Sequence, residues 1–319
     1  MSIASPLATR RSVLAGGAAL ALGACHRQPS GGLVLGDQVH LIESRMGAAH
    51  ALDGIAYRLA WANFQGAAPL LEALNAGAVD TAPAGDLPVI LAAAAGCRLK
   101  IAAVNRTDGK AMAVIAAGRS PIASVKDLAG RSVIVSSARG SISHYLLLEA
   151  LREAGVPANQ VKIGFMLPTE AAAAFASGQI EAWATFGLYQ VKAEAAGARI
   201  LRDGTGIGPG YGIIAVSEAA LADANKRAAL SDVLARNQRA NRWCRDHLDA
   251  YTAIYARQTG ITPALARIMV ERENPGLFAP DAAFIAALQR AADRFHADYG
   301  VLPRRVDVAA LVVPDLLGA

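Results

Sequence analysis

A strand, a turn rich in glycine and serine, and a helix follow one another between residues 131 and 154, and this stretch constrains the fold most. Residues 133–135 form a β-branched run, and Leu147, Leu148 and Leu151 recur at helical spacing. A turn of sequence Ser-Ser-Ala-Arg-Gly-Ser, residues 136–141, separates them. Such a turn gathers unpaired backbone N–H groups at the start of a helix, where the helix dipole adds partial positive charge. The stretch therefore predicts an α/β unit with a candidate anion site; an ordinary capped helix start is the alternative.

Three side chains in this stretch are candidates for contacting an anion. Arg139 is the best cationic candidate in the turn, and a solvated surface arginine is an equal alternative. Ser141 is either a helix N-cap or a ligand hydroxyl. His144 lies four and seven residues before Leu148 and Leu151, so it shares their inward face and either donates to an anion or is a satisfied core histidine.

The first residues predict export. Arg10 and Arg11 precede a short apolar segment, and residues 1–24 have the charged and apolar regions of a signal peptide, too short for a permanent span. The paired arginines resemble a twin-arginine signal, and Leu22-Gly23-Ala24-Cys25 resembles a lipobox in which Cys25 is lipidated. A plain secretory signal with an incidental Cys25 is the alternative. Residues 25–32 then form a flexible tether.

Composition excludes several classes for the mature chain. Removing residues 1–24 takes away Arg10 and Arg11 and no acid, so the formal charge falls from +5 to +3. The scattered basic residues give no indication of nucleic acid, and no later segment resembles a membrane span. Cys97 and Cys244 are expected to be buried free thiols. The six histidines show no metal-ligand spacing, so no metal and no cofactor is predicted.

Strands and helices alternate along the chain, which predicts mostly parallel sheets covered on both faces. Two matched apolar runs, at 111–116 and 211–216, flank a block that contains its own α/β units. If both runs are hinge strands, the first lobe comprises residues 33–116 and 213–319, and the second comprises 117–212. A ligand then lies between the lobes, which close on it by a hinge motion.

Several blocks together resemble the substrate-binding proteins of ABC importers for aliphatic sulfonates, with taurine and nitrate binders as relatives. The blocks occur in the family's order over about residues 33–310 and include the stretches 64–80, 85–88, 120–131, 139–147, 167–183 and 197–204. The resemblance implies an α/β, two-lobed type II periplasmic binding protein fold with two hinge crossovers. It further implies a small organic anion as ligand, an ABC permease as partner, a monomer, and a membrane contact made only through a lipid anchor.

The resemblance also implies ligand-binding positions. Gly140, Ser141 and His144 match the helix start that holds the sulfonate, and Gly85 with Asp86 matches the opposing loop of the first lobe. The resemblance places two further residues in the cleft, and these are Gln38 and Trp183. The family often has an aromatic residue and Asp-Pro after that tryptophan, whereas this chain has Phe186-Gly187-Leu188, so the organic-tail pocket differs.

Three of these positions have a simpler interpretation. Asp86 stands at a helix start and can be a cap, or it can hold an amino group such as that of taurine. Trp183 can be a core residue and Gln38 can bond nearby backbone. The sequence carries none of the common hydrolase, metalloprotease or nucleotide-binding motifs. A non-catalytic receptor is therefore predicted; the alternatives are a nitrate or thiamine-precursor receptor and an enzyme resembling thiamine-pyrimidine synthases.

Overall fold

Ten strands form two five-stranded sheets in the computed structural model, which describes residues 32–207, 210–273 and 276–317. The predicted signal peptide, Cys25 and nearly all of the tether lie outside these residues. The strands are β1 (Leu33–Gln38), β2 (Leu59–Phe64), β3 (Thr81–Gly85), β4 (Leu99–Arg106), β5 (Met112–Ala116), β6 (Ser132–Ser136), β7 (Lys162–Met166), β8 (Ala182–Phe186), β9 (Arg199–Asp203) and β10 (Tyr211–Ser217).

Helices cover both faces of the sheets. They are α1 (Leu41–Ala48), α2 (Ala67–Asn75), α3 (Asp86–Ala94), α4 (Ile142–Ala154), α5 (Pro168–Ala176), α6 (Gly187–Ala195), α7 (Glu218–Ala222), α8 (Ala224–Asp246), α9 (Leu248–Thr259), α10 (Pro263–Glu273) and α11 (Ala282–Ala297). No helix of the described chain is both long and apolar enough to cross a membrane.

The two sheets share one topology. The first has the order β2-β1-β3-β10-β4 and the second β7-β6-β8-β5-β9. In each sheet only the fourth strand of that order, β10 or β5, runs antiparallel to its neighbours. The first lobe is therefore built on β1–β4 with β10, and the second on β5–β9 with α4, α5 and α6. The alternation of strands and helices predicted this arrangement, apart from the two reversed strands.

The first crossing between the lobes lies earlier than the sequence-based boundary. Residue 116 was the expected end of the first lobe's opening segment, but β5 pairs with β8 and β9 in the second sheet. The whole of β10 pairs in the first sheet, so the second crossing precedes residue 211. The two apolar strands look alike in sequence whichever sheet receives them, because most residues of both β5 and β10 are buried.

The two crossings run side by side and bond to each other. The amide of Thr107 donates to the carbonyl of Gly210 over 2.8 Å, and the amide of Gly204 donates to the carbonyl of Gly109 over 3.0 Å. Gly109 has a φ of +83°, and a Cβ there would lie 2.3 Å from the backbone of Gly204. Only glycine permits both this conformation and this approach. The paired crossings are the hinge that joins the lobes.

Helix α1 is capped by a side chain of the strand that precedes it. The helix spans Leu41–Ala48. The buried carboxylate of Asp37 accepts hydrogen bonds from the amides of Ile42 (3.2 Å) and Glu43 (2.8 Å) at the helix start. This cap is contributed from inside β1, so the local sequence did not mark it as a helix start.

The C-terminal helices contact both lobes. The bidentate ion pair of Arg272 on α10 with Glu194 on α6 joins the first lobe to the second at 2.8 and 2.9 Å. On the opposite side, the hydroxyl of Tyr299 donates to Glu149 on α4 over 2.5 Å. The two cysteines expected to be free are unpaired: Cys244 is buried and Cys97 is half-buried.

Candidate ligand-binding site

A cavity of about 270 Å³ lies between the two lobes. Its walls are the carboxyl ends of β1, β3 and β8, the hinge, and the first residues of α3, α4 and α6. Ligands of open α/β sheets bind at such strand ends. Of the predicted site residues, Gln38, Gly85, Asp86 and Ser141 line this cavity.

The start of α4 forms part of the second-lobe wall. Ser141 is its N-cap: the hydroxyl accepts from the amide of His144 over 3.2 Å and donates to the carbonyl of Ser136 over 3.0 Å. Within the described chain, the amides of Ile142 and Ser143 have no hydrogen-bond acceptor. Ser141 and Ile142 both border the cavity, so the helix start presents unpaired N–H groups beside it.

The backbone before α4 is held against the first lobe. Gly140 has a φ of +86°, and a Cβ there would lie 2.3 Å from a methyl group of Leu91 on α3. A Cβ at Gly85 would likewise lie 2.3 Å from a methyl group of Ile142. The two lobes therefore approach each other closely at both glycines, and a larger residue at either position would keep them apart.

His144 lies behind the helix start and does not line the cavity. Its side chain is 3% exposed, and its Nδ1 accepts a hydrogen bond from the amide of Gly140 over 3.1 Å. The ring meets Phe165 edge-on at 5.1 Å. Burial, with a smaller contribution from Arg139, lowers the pKa of His144 to about 4, so the imidazole is neutral at neutral pH. The ring therefore fixes the backbone at Gly140.

Trp183 also lies away from the cavity, in the core of the second lobe. Its indole is 1% exposed, packs on Phe175 and donates to the hydroxyl of Ser136 over 2.8 Å. Because the carbonyl of Ser136 in turn accepts from Ser141, the tryptophan supports the helix start from behind. His144 and Trp183 thus contact the same turn as Ser141, but from its buried side and not from the cavity.

Arg139 is exposed and borders a second, smaller cavity of about 230 Å³. This cavity lies between α2, α3 and the turn before α4, and Gly140 also lines it. The two cavities share Ser137 and Ser141 in their linings, so they adjoin at the helix start. Arg139 and Gly140 therefore border the smaller cavity and do not line the larger one.

The first-lobe residues use their polar groups on neighbouring backbone. Gln38 donates through Nε2 to the carbonyl of Pro83 over 2.8 Å. The carboxylate of Asp86 accepts from the amides of Leu87 (2.8 Å) and Tyr211 (3.1 Å). Burial raises the pKa of Asp86 to about 6, although these two hydrogen bonds act to lower it. Asp86 thus joins the start of α3 to the start of β10 at the hinge.

Sequence reasoning missed the polar group that lies on the other side of the first sheet. Arg45 on α1 lines the cavity with Asn237 and Asn241 of α8, and its Nη1 donates to the side-chain oxygen of Asn241 over 2.6 Å. Arg45 and Asn241 are 196 positions apart in the sequence, so no local pattern connects them. A correct assignment of α1 would have placed a lone arginine one residue before the buried Met46.

Contacts across the mouth show that the lobes are closed on the cavity. The hydroxyl of Thr169, at the start of α5, donates to the side-chain oxygen of Gln65 over 2.8 Å. The Arg272–Glu194 ion pair closes the side formed by α10 and α6. These contacts and the glycine approaches together define a closed form of the molecule.

The chain matches known proteins over most of its length. The family model described as NMT1/THI5 like matches residues 62–247, which is more than half of the chain. A protein of Escherichia coli (strain K12) that is named for binding aliphatic sulfonates is 32% identical over 285 residues, covering 89% of this chain and 85% of that protein.

Two solved structures share the whole fold. The alkanesulfonate-binding protein SsuA from Xanthomonas axonopodis pv. citri, bound to MOPS, matches with a TM-score of 0.81 and 28% identity over 89% of this chain and 98% of that one. The periplasmic aliphatic sulphonate binding protein SsuA from Escherichia coli matches with a TM-score of 0.77 and 29% identity, over 90% and 99%. The predicted two-lobed periplasmic binding protein fold is therefore confirmed, and the chain belongs to the NMT1/THI5-like family.

Proposed function

We propose that this protein is an extracytoplasmic receptor that captures an aliphatic sulfonate between its two lobes and delivers it to an ABC permease. The observation that carries the proposal is the closed cavity at the start of α4, where the amides of Ile142 and Ser143 lack protein acceptors. The relatives named for binding sulfonates support the same ligand class.

A sulfonate fits this helix start chemically. It carries a permanent negative charge on three oxygens, and backbone N–H groups at a helix N-terminus bind such groups without a full countercharge. In this proposal Ser141 and Ile142 contact the headgroup, while Gln38, Gly85 and Asp86 form the facing wall. The predicted contacts of His144 and Trp183 become supporting roles, because both side chains are buried behind the turn.

A thermal-shift and calorimetry panel tests the ligand class. We expect butane-1-sulfonate to bind and to raise Tm, since a ligand at 100 times its Kd adds about 2.7 kcal/mol to the free energy of unfolding. Pentanoate, in which a planar carboxylate replaces the sulfonate, is the matched control and should bind more weakly. Taurine, sulfate, nitrate and pyrimidine precursors complete the panel. Binding of nitrate or a pyrimidine with no response to any sulfonate would refute the proposal.

The protein binds its ligand without transforming it in this proposal. The test is incubation of the protein with butane-1-sulfonate followed by NMR of the ligand and an assay for sulfite. An unchanged sulfonate with no sulfite is the expected result, whereas turnover would make the protein an enzyme.

The same proposal includes export, lipidation of Cys25 and a monomeric state. The paired arginines and the lipobox-like segment before Cys25 support it. Mass spectrometry of the mature N-terminus is expected to find a chain that begins at an acylated Cys25, and light scattering is expected to give one protomer. A mature chain beginning elsewhere, or a dimer, would contradict these parts.

A further inference from the structure

Arg45 is a buried cation on the first-lobe wall of the cavity. Its side chain faces the cavity, and the residue is 7% exposed. One of its nitrogens donates to Asn241, whose own amide group is fixed by two bonds to Asn237 at 2.7 and 2.9 Å. The Nε atom of Arg45 is buried without any hydrogen-bond partner. The guanidinium therefore retains donor capacity that the described protein does not use.

No described carboxylate forms an ion pair with Arg45. Asp37 directs its oxygens at the amides of Gln38, Ile42 and Glu43. Glu273 lines the same cavity; burial lowers the pKa of Arg45, but attraction to Tyr251 and Glu273 outweighs it, so that this pKa is raised. A guanidinium stays protonated at every accessible pH, and the buried Nε donor of this one has no hydrogen-bond partner within the described residues. An acceptor that enters from the cavity can therefore bond a donor of Arg45 that the described protein leaves unused.

Arg45 and the start of α4 border the cavity from opposite faces of the first sheet. Helix α1 packs against α8 and α9, where Met46 joins a core with Leu33 and Leu35. Helices α2 and α3 cover the opposite face of the first sheet, and the α4 start contacts α3 through Gly140 and Leu91. The edge of the first sheet therefore separates the two groups, and one ligand that touches both must be polar at each end.

We propose that Arg45, together with Asn241, binds a second acidic group at the far end of the ligand, so that the preferred ligand is a sulfonate whose tail ends in a carboxylate. This inference rests on the proposed function, since it takes the sulfonate to lie at the start of α4. It makes Arg45 a residue that determines specificity for the tail.

The cavity also holds three carboxyl groups, which raises the competing idea of an ammonium-bearing tail. Asp37 and Asp86 already accept three and two backbone N–H bonds respectively. Burial raises the pKa of Asp37, Asp86 and Glu273. Arg45 keeps its whole charge, so we expect a carboxylate to be preferred over an ammonium group.

Calorimetry on the unmodified protein is the first test. Propane-1-sulfonate and 3-sulfopropionate form a matched pair in which a carboxylate replaces a methyl group, and 4-sulfobutyrate and 5-sulfopentanoate extend the tail. We expect at least one sulfocarboxylate to bind tenfold or more tightly than the alkanesulfonate of equal length. Equal binding across each pair, or tighter binding of 3-aminopropane-1-sulfonate, would overturn this inference and leave the proposed function intact. Failure of every sulfonate to bind would overturn both.

An arginine variant then assigns the preference. In Arg45→Met we expect the ratio of the two Kd values to fall to within twofold of one. Arg236→Met is the control, because Arg236 bonds the carbonyls of Ala51 and Asp53 outside the cavity. A preference that survives in Arg45→Met would overturn the inference. Should that variant not fold, the ligand series on the unmodified protein still decides.

Discussion

The two walls of the cavity are built from different chemistry. The lining residues with carboxyl or guanidinium groups are Asp37, Arg45, Asp86 and Glu273, and all four belong to the first lobe. Within the described residues, the second-lobe wall instead offers backbone at the start of α4, the hydroxyls of Ser137 and Ser141, and apolar or aromatic side chains.

This difference separates two tasks of a receptor. Backbone N–H groups at a helix start accept any small oxyanion of suitable size, so the second lobe supplies a general anion site. Charged side chains act at fixed positions, so the first lobe is placed to select the rest of the ligand. Variants on the two walls should therefore fail in different ways.

The largest effect is expected where the walls touch. In Gly85→Val the new side chain would occupy the space of the Ile142 methyl group, which lies 2.3 Å from the position of a Cβ. The lobes could not close as they do here, and donors on both walls would no longer reach one ligand. We expect Kd for butane-1-sulfonate to rise about 100-fold, or about 2.7 kcal/mol, by calorimetry.

Gly47→Ala is the control for that substitution. Gly47 lies on α1, and a Cβ there would meet no atom within 4 Å. We expect its Kd to stay within twofold of the original. A Gly85→Val protein that binds as tightly as Gly47→Ala would show that the contact with Ile142 is not needed for closure.

The two walls carry titratable groups whose effects on stability oppose each other. The pKa of His144, in the second lobe, is lowered to about 4, so between pH 4 and 6.5 the unfolded chain binds more protons and stability rises with pH. The pKa of Asp86, in the first lobe, is raised to about 6, so between pH 3.8 and 6 the folded chain binds more protons and stability falls with pH.

In a variant that lacks one of these two groups, the pH dependence of stability that comes from the other group should become measurable. Between pH 4 and 6 we expect Asp86→Asn to gain stability with rising pH relative to the unmodified protein, and His144→Asn to lose it, each by about 2 kcal/mol. Urea unfolding at half-unit pH steps measures both. If the two variants keep the original pH profile, the burial of these groups does not control their protonation.

Much of the second lobe was predictable from sequence because its signals are local. Helix α4 occupies the expected residues 142–154, with Ser141 as N-cap and Gly155 in the left-handed conformation at its end. A β-branched strand, a cap residue and a glycine are sufficient there. The family resemblance likewise depended on several local blocks that agree in order.

Burial direction and long-range pairs were not predictable in the same way. Trp183 lies in a strand whose inner residues are all buried, so alternation along the strand does not distinguish cleft from core. His144 does lie on the buried face of α4 with Leu148 and Leu151. That face packs on the core behind the turn and not on the cavity. The Arg45–Asn241 contact joins helices at opposite ends of the chain, which no single-sequence pattern shows.

The next largest effect on Kd is expected from Ser141→Ala, and it separates the role of Ser141 in ligand binding from its role as a helix cap. Ser141→Ala removes the N-cap of α4 and a hydroxyl beside the cavity. We expect about 1 kcal/mol less stability, as for other serine caps, measured by urea unfolding. We also expect a five- to tenfold rise in Kd for butane-1-sulfonate, because the unpaired amides of the helix start lose their support.

Ser217→Ala is the matched capping control. The Ser217 hydroxyl accepts from the amide of Ala220 over 3.1 Å at the start of α7, away from the cavity. It should lower stability without changing Kd. Equal changes in Kd for both serine variants would mean that the loss follows general stability and not the wall of the second lobe.

The smallest effect on ligand binding is expected from the ion pair that joins α10 of the first lobe to α6 of the second. In Arg272→Ala the bidentate pair with Glu194 is lost, and both partners are about one-fifth exposed, so the pair contributes about 0.5–1 kcal/mol to the closed form. Part of the binding free energy of a ligand that binds only the closed form is then used to close the lobes. We expect Kd to rise two- to threefold, and small-angle scattering of the ligand-free protein to show a larger radius of gyration.

Arg267→Ala on the same helix tests whether the effect belongs to the contact between lobes. Arg267 pairs with Asp249 and Glu271, both within the first lobe, so its loss leaves the walls joined. We expect Kd and the radius of gyration to be unchanged in this variant. If Arg272→Ala behaves like Arg267→Ala, then the glycine contacts near the hinge and the start of α4 determine closure by themselves. In that case the charged residues of the first lobe act on the ligand and not on the approach of the two walls.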